Sequence, residues 1–139
     1  MSRSILEIEQ ELVENFSLFD SWEDKYEYLI ELGKKMPDLD SKYKIEENKI
    51  KGCQSSVWVI ASGNKNEVKF EADSDSFIVK GLASLLVSVL SGQSAKNIVD
   101  AKLEFIDQIG MTKHLAQTRS NGLLSMVKQI KFYALALQG

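Results

Sequence analysis

Cysteine is nearly absent from this chain, which contains a single one among its 139 residues. A lone cysteine excludes an intramolecular disulfide, a zinc site of four cysteines and an iron–sulfur cluster held by one chain alone. A chain without disulfides is typical of a reducing compartment. The sequence therefore predicts a cytoplasmic protein with no bound metal.

The chain also lacks the long apolar runs and the positive charge that membranes and nucleic acids require. Its longest apolar stretch, residues 77–90, contains Lys80 and is shorter than the about 20 residues that span a bilayer. Carboxylates interrupt the apolar residues near the N-terminus, unlike a signal peptide. The net charge is -3, which provides no positive field for a polyanion. These absences predict no export, no membrane partner and no nucleic-acid partner.

Length and apolar spacing predict one domain, residues 1–139, of the α+β class. A chain of this size buries roughly two-thirds of its unfolded surface, enough for a core without disulfides. The spacing predicts a small antiparallel three-stranded sheet packed against helices. The predicted strands are at Ile50, 57–61 and 68–72, with a hairpin turn at 62–66, and the predicted helices are at about 4–16, 21–36, 77–90, 94–99, 103–109 and 121–137.

The only cysteine, Cys53, lies four residues before Val57, where the predicted β-branched strand starts. Gly52 adopts backbone angles closed to other residues, and Gln54 is a polar loop residue, so Cys53 is expected on a tight turn. Backbone N–H groups and the ammonium of Lys51 would favour a thiolate there. The competing interpretation is an inert, packed thiol, because free cysteine is among the most buried residue types.

His114 and Arg119 are further candidates for chemistry. His114 is the only histidine, so a Cys/His catalytic pair would have to join it to Cys53; otherwise it fills a polar niche. Arg119 precedes the predicted last helix, whose N-cap would be Ser120 or Asn121. Its guanidinium would either bind a carboxylate of a ligand or pair with an acidic neighbour.

Asp73 and Asp75 lie just before the apolar stretch 77–90, where carboxylates cap a helix. The alternative is a site for a hard cation, but no further acidic residues are spaced to complete one. Gly81 is unusual inside that predicted helix, since a mid-helix glycine costs up to about 1 kcal/mol relative to alanine. Close packing against the sheet or the cysteine turn would explain it.

Taken together, five segments in order make the chain resemble the SufE family, the sulfur-acceptor partners of cysteine desulfurases in iron–sulfur cluster assembly. The segments are Tyr28-Leu29-Ile30-Glu31-Leu32-Gly33 with Pro37, Lys51-Gly52-Cys53-Gln54-Ser55-Ser56-Val57-Trp58, Ala72-Asp73-Ser74-Asp75 with Ile78-Val79-Lys80-Gly81-Leu82, His114-Leu115, and Arg119-Ser120-Asn121-Gly122-Leu123. The second is the most diagnostic. The resemblance spans most of the chain and implies the α+β fold shared with scaffold proteins of the IscU type.

The resemblance implies that Cys53 takes sulfur, as a transient persulfide, from a cysteine desulfurase of the SufS or CsdA type. The sulfur then passes to an iron–sulfur scaffold such as a complex that contains SufB. Pyridoxal phosphate belongs to the desulfurase, and this chain would hold no cofactor stably. It would activate its partner rather than act as an enzyme alone. The cysteine would be largely buried in the free protein and would swing out on binding.

The resemblance also implies roles for the neighbours of the cysteine. Gly52 and Gln54 would belong to the mobile loop, Asp75 would restrain that loop at rest, and His114 and Arg119 would line the same end of the protein. The chain departs from the family pattern at Ala116-Gln117-Thr118, where a central proline is typical. This departure predicts a looser loop before Arg119.

Four alternatives remain open from the sequence. They are a self-contained cysteine enzyme using Cys53 and His114, a sulfur carrier for another cofactor pathway, a scaffold whose cluster is shared between subunits, and an interaction domain with an inert Cys53. Whether the chain forms a homodimer is also open.

Overall fold

Seven α-helices and one β-hairpin form the fold in the computed structural model, which describes residues 3–138. The helices are α1 (Ile5–Ser17), α2 (Trp22–Lys35), α3 (Phe77–Leu90), α4 (Ala95–Asp100), α5 (Phe105–Ile109), α6 (Met111–His114) and α7 (Gln117–Gln138). Two short 3-10 turns, Ser41–Tyr43 and Glu46–Asn48, lie between α2 and the hairpin. The predicted α+β class is confirmed.

Serine side chains start the first four helices by accepting a hydrogen bond from a backbone N–H of the first turn. At α1, Ser4 and Glu7 form the predicted capping box. For α3 the cap is Ser76, so neither Asp73 nor Asp75 has the expected capping role. The bounds of the first four helices otherwise lie close to the predicted ones.

The sheet has two strands in the described chain, and the prediction of three is wrong. Strand β1 (Val57–Asn64) pairs antiparallel with β2 (Glu67–Ser74) through a two-residue turn, tighter than predicted. The Ile50 segment makes one bridge, between Lys49 and Trp58, and the Ile50 N–H donates to the Val57 carbonyl at 2.7 Å. A 3-10 turn before it and the glycine turn after it leave no length for a strand.

Helix α3 is the centre of the core, as its nearly continuous apolar sequence predicts. It packs against α2, β2, α7 and α1, and Leu82, Leu86 and Leu90 are almost inaccessible to solvent. In residues 3–138, no helix combines the length and the apolar character that crossing a membrane requires.

Gly81 marks the contact of α3 with α2, rather than with the sheet or the cysteine turn as predicted. A Cβ atom on Gly81 would lie 2.6 Å from the backbone oxygen of Leu29, and one on Gly33 would lie 2.8 Å from the Gly81 nitrogen. The two helix backbones therefore touch where neither has a side chain.

The starts of the last helices differ from the predictions. Helix α5 begins at Phe105 rather than at residue 103 because Leu103 has a left-handed backbone (φ 56°). Helix α6 was not predicted. Helix α7 begins at Gln117, so Ser120 and Asn121 lie inside it and are not its N-cap.

Candidate functional site

Cys53 lies on a glycine turn that connects the Ile50 segment with β1. Gly52 has a φ of +88°, a conformation that favours glycine. A Cβ atom on Gly52 would lie 3.0 Å from the Ser125 hydroxyl oxygen, so the turn rests directly on α7. The predicted tight turn at Gly52 is confirmed.

The Cys53 side chain is half-buried against the first turns of α7. Its Sγ lies 3.7 Å from the Gly122 carbonyl oxygen, to which the thiol donates a weak hydrogen bond. A Cβ atom on Gly122 would lie 3.2 Å from this sulfur, so the missing side chain makes room for the thiol. Gly122 was in a family segment of the sequence but was not predicted as a site residue. The available signal in the sequence was a glycine within the predicted last helix.

A cavity of about 240 Å³ opens beside the thiol. Val79 and Ala116 supply apolar wall, while Gln54, Thr118 and Arg119 supply polar groups. The structure thus brings Arg119 and Gln54 to the cysteine. Within the described chain, the Arg119 guanidinium has no carboxylate within 4.0 Å, so the predicted pairing with an acidic neighbour is not formed.

Arg119 lies in the first turn of α7 rather than before the helix. The backbone N–H groups of Arg119 and Ser120 donate to the Ala116 carbonyl oxygen, each at 3.0 Å. The segment without proline is therefore helical from Gln117 onward, and the prediction of a looser loop is wrong. Gln117 is the first residue of the helix, a position where the backbone N–H is not needed, so the helix forms there without the proline of the family pattern.

Burial raises the pKa of the Cys53 thiol above its ordinary value. The expectation of a thiol biased toward thiolate by its neighbours is wrong for this conformation, because desolvation disfavours the charged form. At neutral pH the resting side chain is therefore a thiol, less nucleophilic and less readily oxidised than an exposed thiolate.

Asp75 holds the backbone at the end of the cysteine turn. Its Oδ1 accepts a hydrogen bond from the Ser56 N–H at 3.1 Å, and its own N–H donates to the Ser56 carbonyl oxygen at 3.2 Å. The Ser74 hydroxyl donates to the same carbonyl at 2.8 Å. Three hydrogen bonds thus connect the end of β2 with a residue three positions after Cys53.

We expect Asp75→Ala to loosen this turn and to raise the rate at which iodoacetamide labels Cys53. Loss of the side-chain hydrogen bond, worth about 1 kcal/mol, should raise the open population about fivefold, whereas Asp75→Asn keeps an acceptor and should raise it less. The measurement is labelling at one fixed pH, with unfolding curves to show intact folding. Equal rates for the wild type and both variants would contradict a restraining role for Asp75.

Asp73 serves a different part of the fold. It is only 3% exposed, accepts the Leu39 N–H at 2.9 Å, and pairs with Lys44 and Lys80, each at 3.2 Å. It therefore fixes the connection between α2 and β1 against α3.

In residues 3–138, no group of three or more His, Cys, Asp or Glu side chains is placed to hold a metal ion.

His114 does not join the cysteine in this structure. Its ring stacks on Trp22 with the ring centroids 3.9 Å apart, and its carbonyl oxygen accepts a hydrogen bond from the Tyr26 hydroxyl. The side chain is not among those that line the Cys53 cavity. The aromatic residues of α2 that hold it gave no signal in the sequence.

The family comparison decides what kind of protein carries this site. The model of the SufE family, described as an Fe-S metabolism associated domain, matches residues 10–134. The chain belongs to the SufE family. Every candidate residue around Cys53 lies inside the matched range, so the site is built from the SufE domain itself.

Other SufE-like proteins align over nearly the whole chain. An uncharacterized SufE-like protein of Rhizobium meliloti is 39% identical over 127 residues, which are 87% of this chain and 90% of that protein. The chloroplastic/mitochondrial SufE-like protein 1 of Arabidopsis thaliana is 42% identical over 130 residues, which are 93% of this chain but 35% of that longer protein.

The fold is also seen in the solution structure of a hypothetical protein from Thermus thermophilus. The two superpose with a TM-score of 0.77 over 94% of this chain and 95% of the other, at 20% sequence identity. This similarity supports the α+β fold.

Proposed function

We propose that Cys53 accepts a sulfur atom from the persulfide of a cysteine desulfurase and delivers it to an iron–sulfur scaffold. Membership of the SufE family associates the chain with Fe–S metabolism. The observation that supports the carrier role is the position of the thiol. It is half-buried on a glycine turn that packs on α7 and whose end is hydrogen-bonded to Asp75.

The transfer is a substitution at sulfur. The Cys53 thiol gives up its proton, and its Sγ attacks the outer sulfur of the partner's persulfide. A sulfur–sulfur bond forms on Cys53 as the one on the partner breaks, and the partner's cysteine leaves as a thiolate and takes up a proton. One sulfur atom moves without an external oxidant or reductant. Pyridoxal phosphate in the desulfurase supplies the chemistry that makes the donor persulfide.

The resting geometry suits a carrier that reacts only in complex with its partner. The raised pKa limits reaction with oxidants and small disulfides. A partner that draws the turn outward would expose the sulfur and lower the cost of forming the thiolate. Afterwards the cavity beside Gly122 has room to shelter the extra sulfur. Arg119, exposed at its edge, is available to a carboxylate of the partner.

A self-contained cysteine enzyme fits the geometry less well. Such an enzyme needs a general base in hydrogen-bond reach of the thiol, and the only histidine stacks on Trp22 instead. A carrier for another cofactor pathway would make the same first transfer and differ only in the acceptor. Because the family is associated with Fe–S metabolism, a SufB-type scaffold is the acceptor that we propose, and exchange of purified acceptors would distinguish the two.

Turnover of a SufS-type desulfurase tests the proposal. We expect the chain to raise the rate of alanine formation from cysteine severalfold, because Cys53 clears the persulfide that blocks the next cycle. Cys53→Ser should give no stimulation, whereas Ser88→Ala, an exposed change on α3, should stimulate like the wild type. Equal stimulation by the Cys53→Ser variant would overturn the carrier role.

A further inference from the structure

A second cavity, of about 640 Å³, lies between the start of α1, the end of α4 and the start of α5. None of its lining residues also lines the Cys53 cavity. Its volume is within the range of roughly 300–1,000 Å³ that is typical of small-molecule sites. Nothing in the proposed sulfur transfer uses this space.

Glu9 places an unpaired carboxylate oxygen at this cavity. The residue is 8% exposed, and its Oε2 receives no hydrogen bond from any group in residues 3–138. Burial raises the pKa of Glu9, nearby Glu104 acts in the same direction, and the backbone N–H of Phe105 opposes them. A buried polar atom without a partner is costly in a folded protein, so Glu9 Oε2 is available to a hydrogen-bond donor of a bound molecule.

The walls combine apolar surface with an excess of negative charge. Ile5, Leu103 and Phe105 supply hydrocarbon, and Leu6, a residue that is 77% exposed, also lines the cavity. The charged groups that line it are the carboxylates of Glu9, Asp100 and Glu104 and the ammonium of Lys102. Asp100 already pairs with Lys96 at 2.8 Å, which leaves the carboxylates of Glu9 and Glu104 against the ammonium of Lys102. This remaining excess of negative charge favours a cation that also has an apolar part.

We propose that this cavity binds a small organic cation, a primary ammonium carried on a short hydrocarbon chain. The ammonium donates a hydrogen bond to Glu9 Oε2, which converts the unpaired oxygen into a charge-assisted pair. The hydrocarbon chain lies against Ile5, Leu103 and Phe105 and covers Leu6. Binding is non-covalent, and it is independent of the sulfur transfer proposed for Cys53.

Titration of the ¹⁵N-labelled protein with n-butylammonium, followed by amide chemical shifts, tests this site. We expect saturable shifts at Glu9, Leu103 and Phe105 with a dissociation constant of about 1 mM, within reach of so small a ligand. Glu9→Gln should weaken binding at least about tenfold, because the charged partner is lost. Glu31→Gln is the same change at an exposed residue of α2, and it should leave the affinity unchanged.

n-Butanol provides a second comparison, which needs no variant to fold. It has the same hydrocarbon chain without the charge, and it should bind at least about tenfold more weakly than n-butylammonium. Equal binding of the two compounds would overturn the assignment of a cation site. So would the absence of saturable shifts around Glu9, since the unpaired oxygen would then bind only water.

Discussion

Asp73→Ala is expected to lower the free energy of unfolding by about 3 kcal/mol, because it removes a buried carboxylate that accepts two backbone N–H groups and pairs with two ammonium groups. The lost partners are the Lys80 ammonium, whose side chain is 13% exposed, the Lys44 ammonium, and the Leu39 and Ser74 N–H groups. Urea unfolding of both proteins measures the difference.

Asp38→Ala is the matched control for this loss. Asp38 also pairs with Lys80, but its side chain is 83% exposed, and an exposed ion pair contributes at most about 1 kcal/mol. We therefore expect a much smaller effect from Asp38→Ala than from Asp73→Ala. Equal losses in the two variants would contradict the account of Asp73 as the buried centre of this network.

The contribution of Asp73 should also depend on pH. Burial alone would raise the pKa of Asp73, but the N–H groups of Leu39 and Ser74 and the ammonium groups of Lys44 and Lys80 hold it below its ordinary value. Its stabilisation is therefore fully present above the unfolded pKa of about 3.9 and is lost as the pH falls through the lower folded pKa. The difference between wild type and Asp73→Ala should shrink below about pH 4.

Gly81→Val is expected to cost about 3 kcal/mol, at the upper end of the range for overpacked cores. The added side chain would meet the Leu29 backbone oxygen, and a Cβ atom there already lies 2.6 Å from it. Helices α2 and α3 would have to separate, which would disturb the core around Leu82 and Leu86. Helix propensity works the other way, since valine forms helix better than glycine.

Ser88→Val on the exposed side of the same helix separates packing from propensity. It adds a β-branched side chain to α3 without a buried contact, so we expect a change below about 1 kcal/mol. Denaturant unfolding of the two variants makes the comparison. A similar, small loss in both would mean that the close contact of Gly81 with Leu29 does not limit the packing of α2 on α3.

The sequence was sufficient to predict those elements whose position depends on neighbouring residues. Helix α3 has the predicted bounds because Ser76 caps it and because its apolar residues have only the core to occupy. The turn at Cys53 followed from Gly52. The prediction of a third strand at Ile50 is wrong because β-propensity does not indicate how many residues the flanking turns leave for a strand. Helix α7 begins four residues before its predicted start because Ser120 and Asn121 are tolerated inside a helix that packing stabilises.

The residues around the cysteine required the tertiary fold. Gly122 and Thr118 reach the Cys53 cavity only because α7 passes over the turn. Distance along the chain gave no information about the stack of His114 on Trp22, which separates the histidine from the thiol. The pairing of Asp73 with Lys44 and Lys80 depends on how the connection after α2 folds against α3. Long-range placement of this kind is not encoded in any window of the sequence.

Intact-mass analysis of the protein tests the sulfur-acceptor role of Cys53 most directly. The protein is mixed with a cysteine desulfurase and free cysteine, alkylated, and weighed with and without reductant. We expect a gain of whole sulfur atoms that reductant removes, with the added sulfur on the peptide that contains Cys53 and no gain in Cys53→Ser. An unchanged wild-type mass, while the desulfurase is turning over, would contradict it.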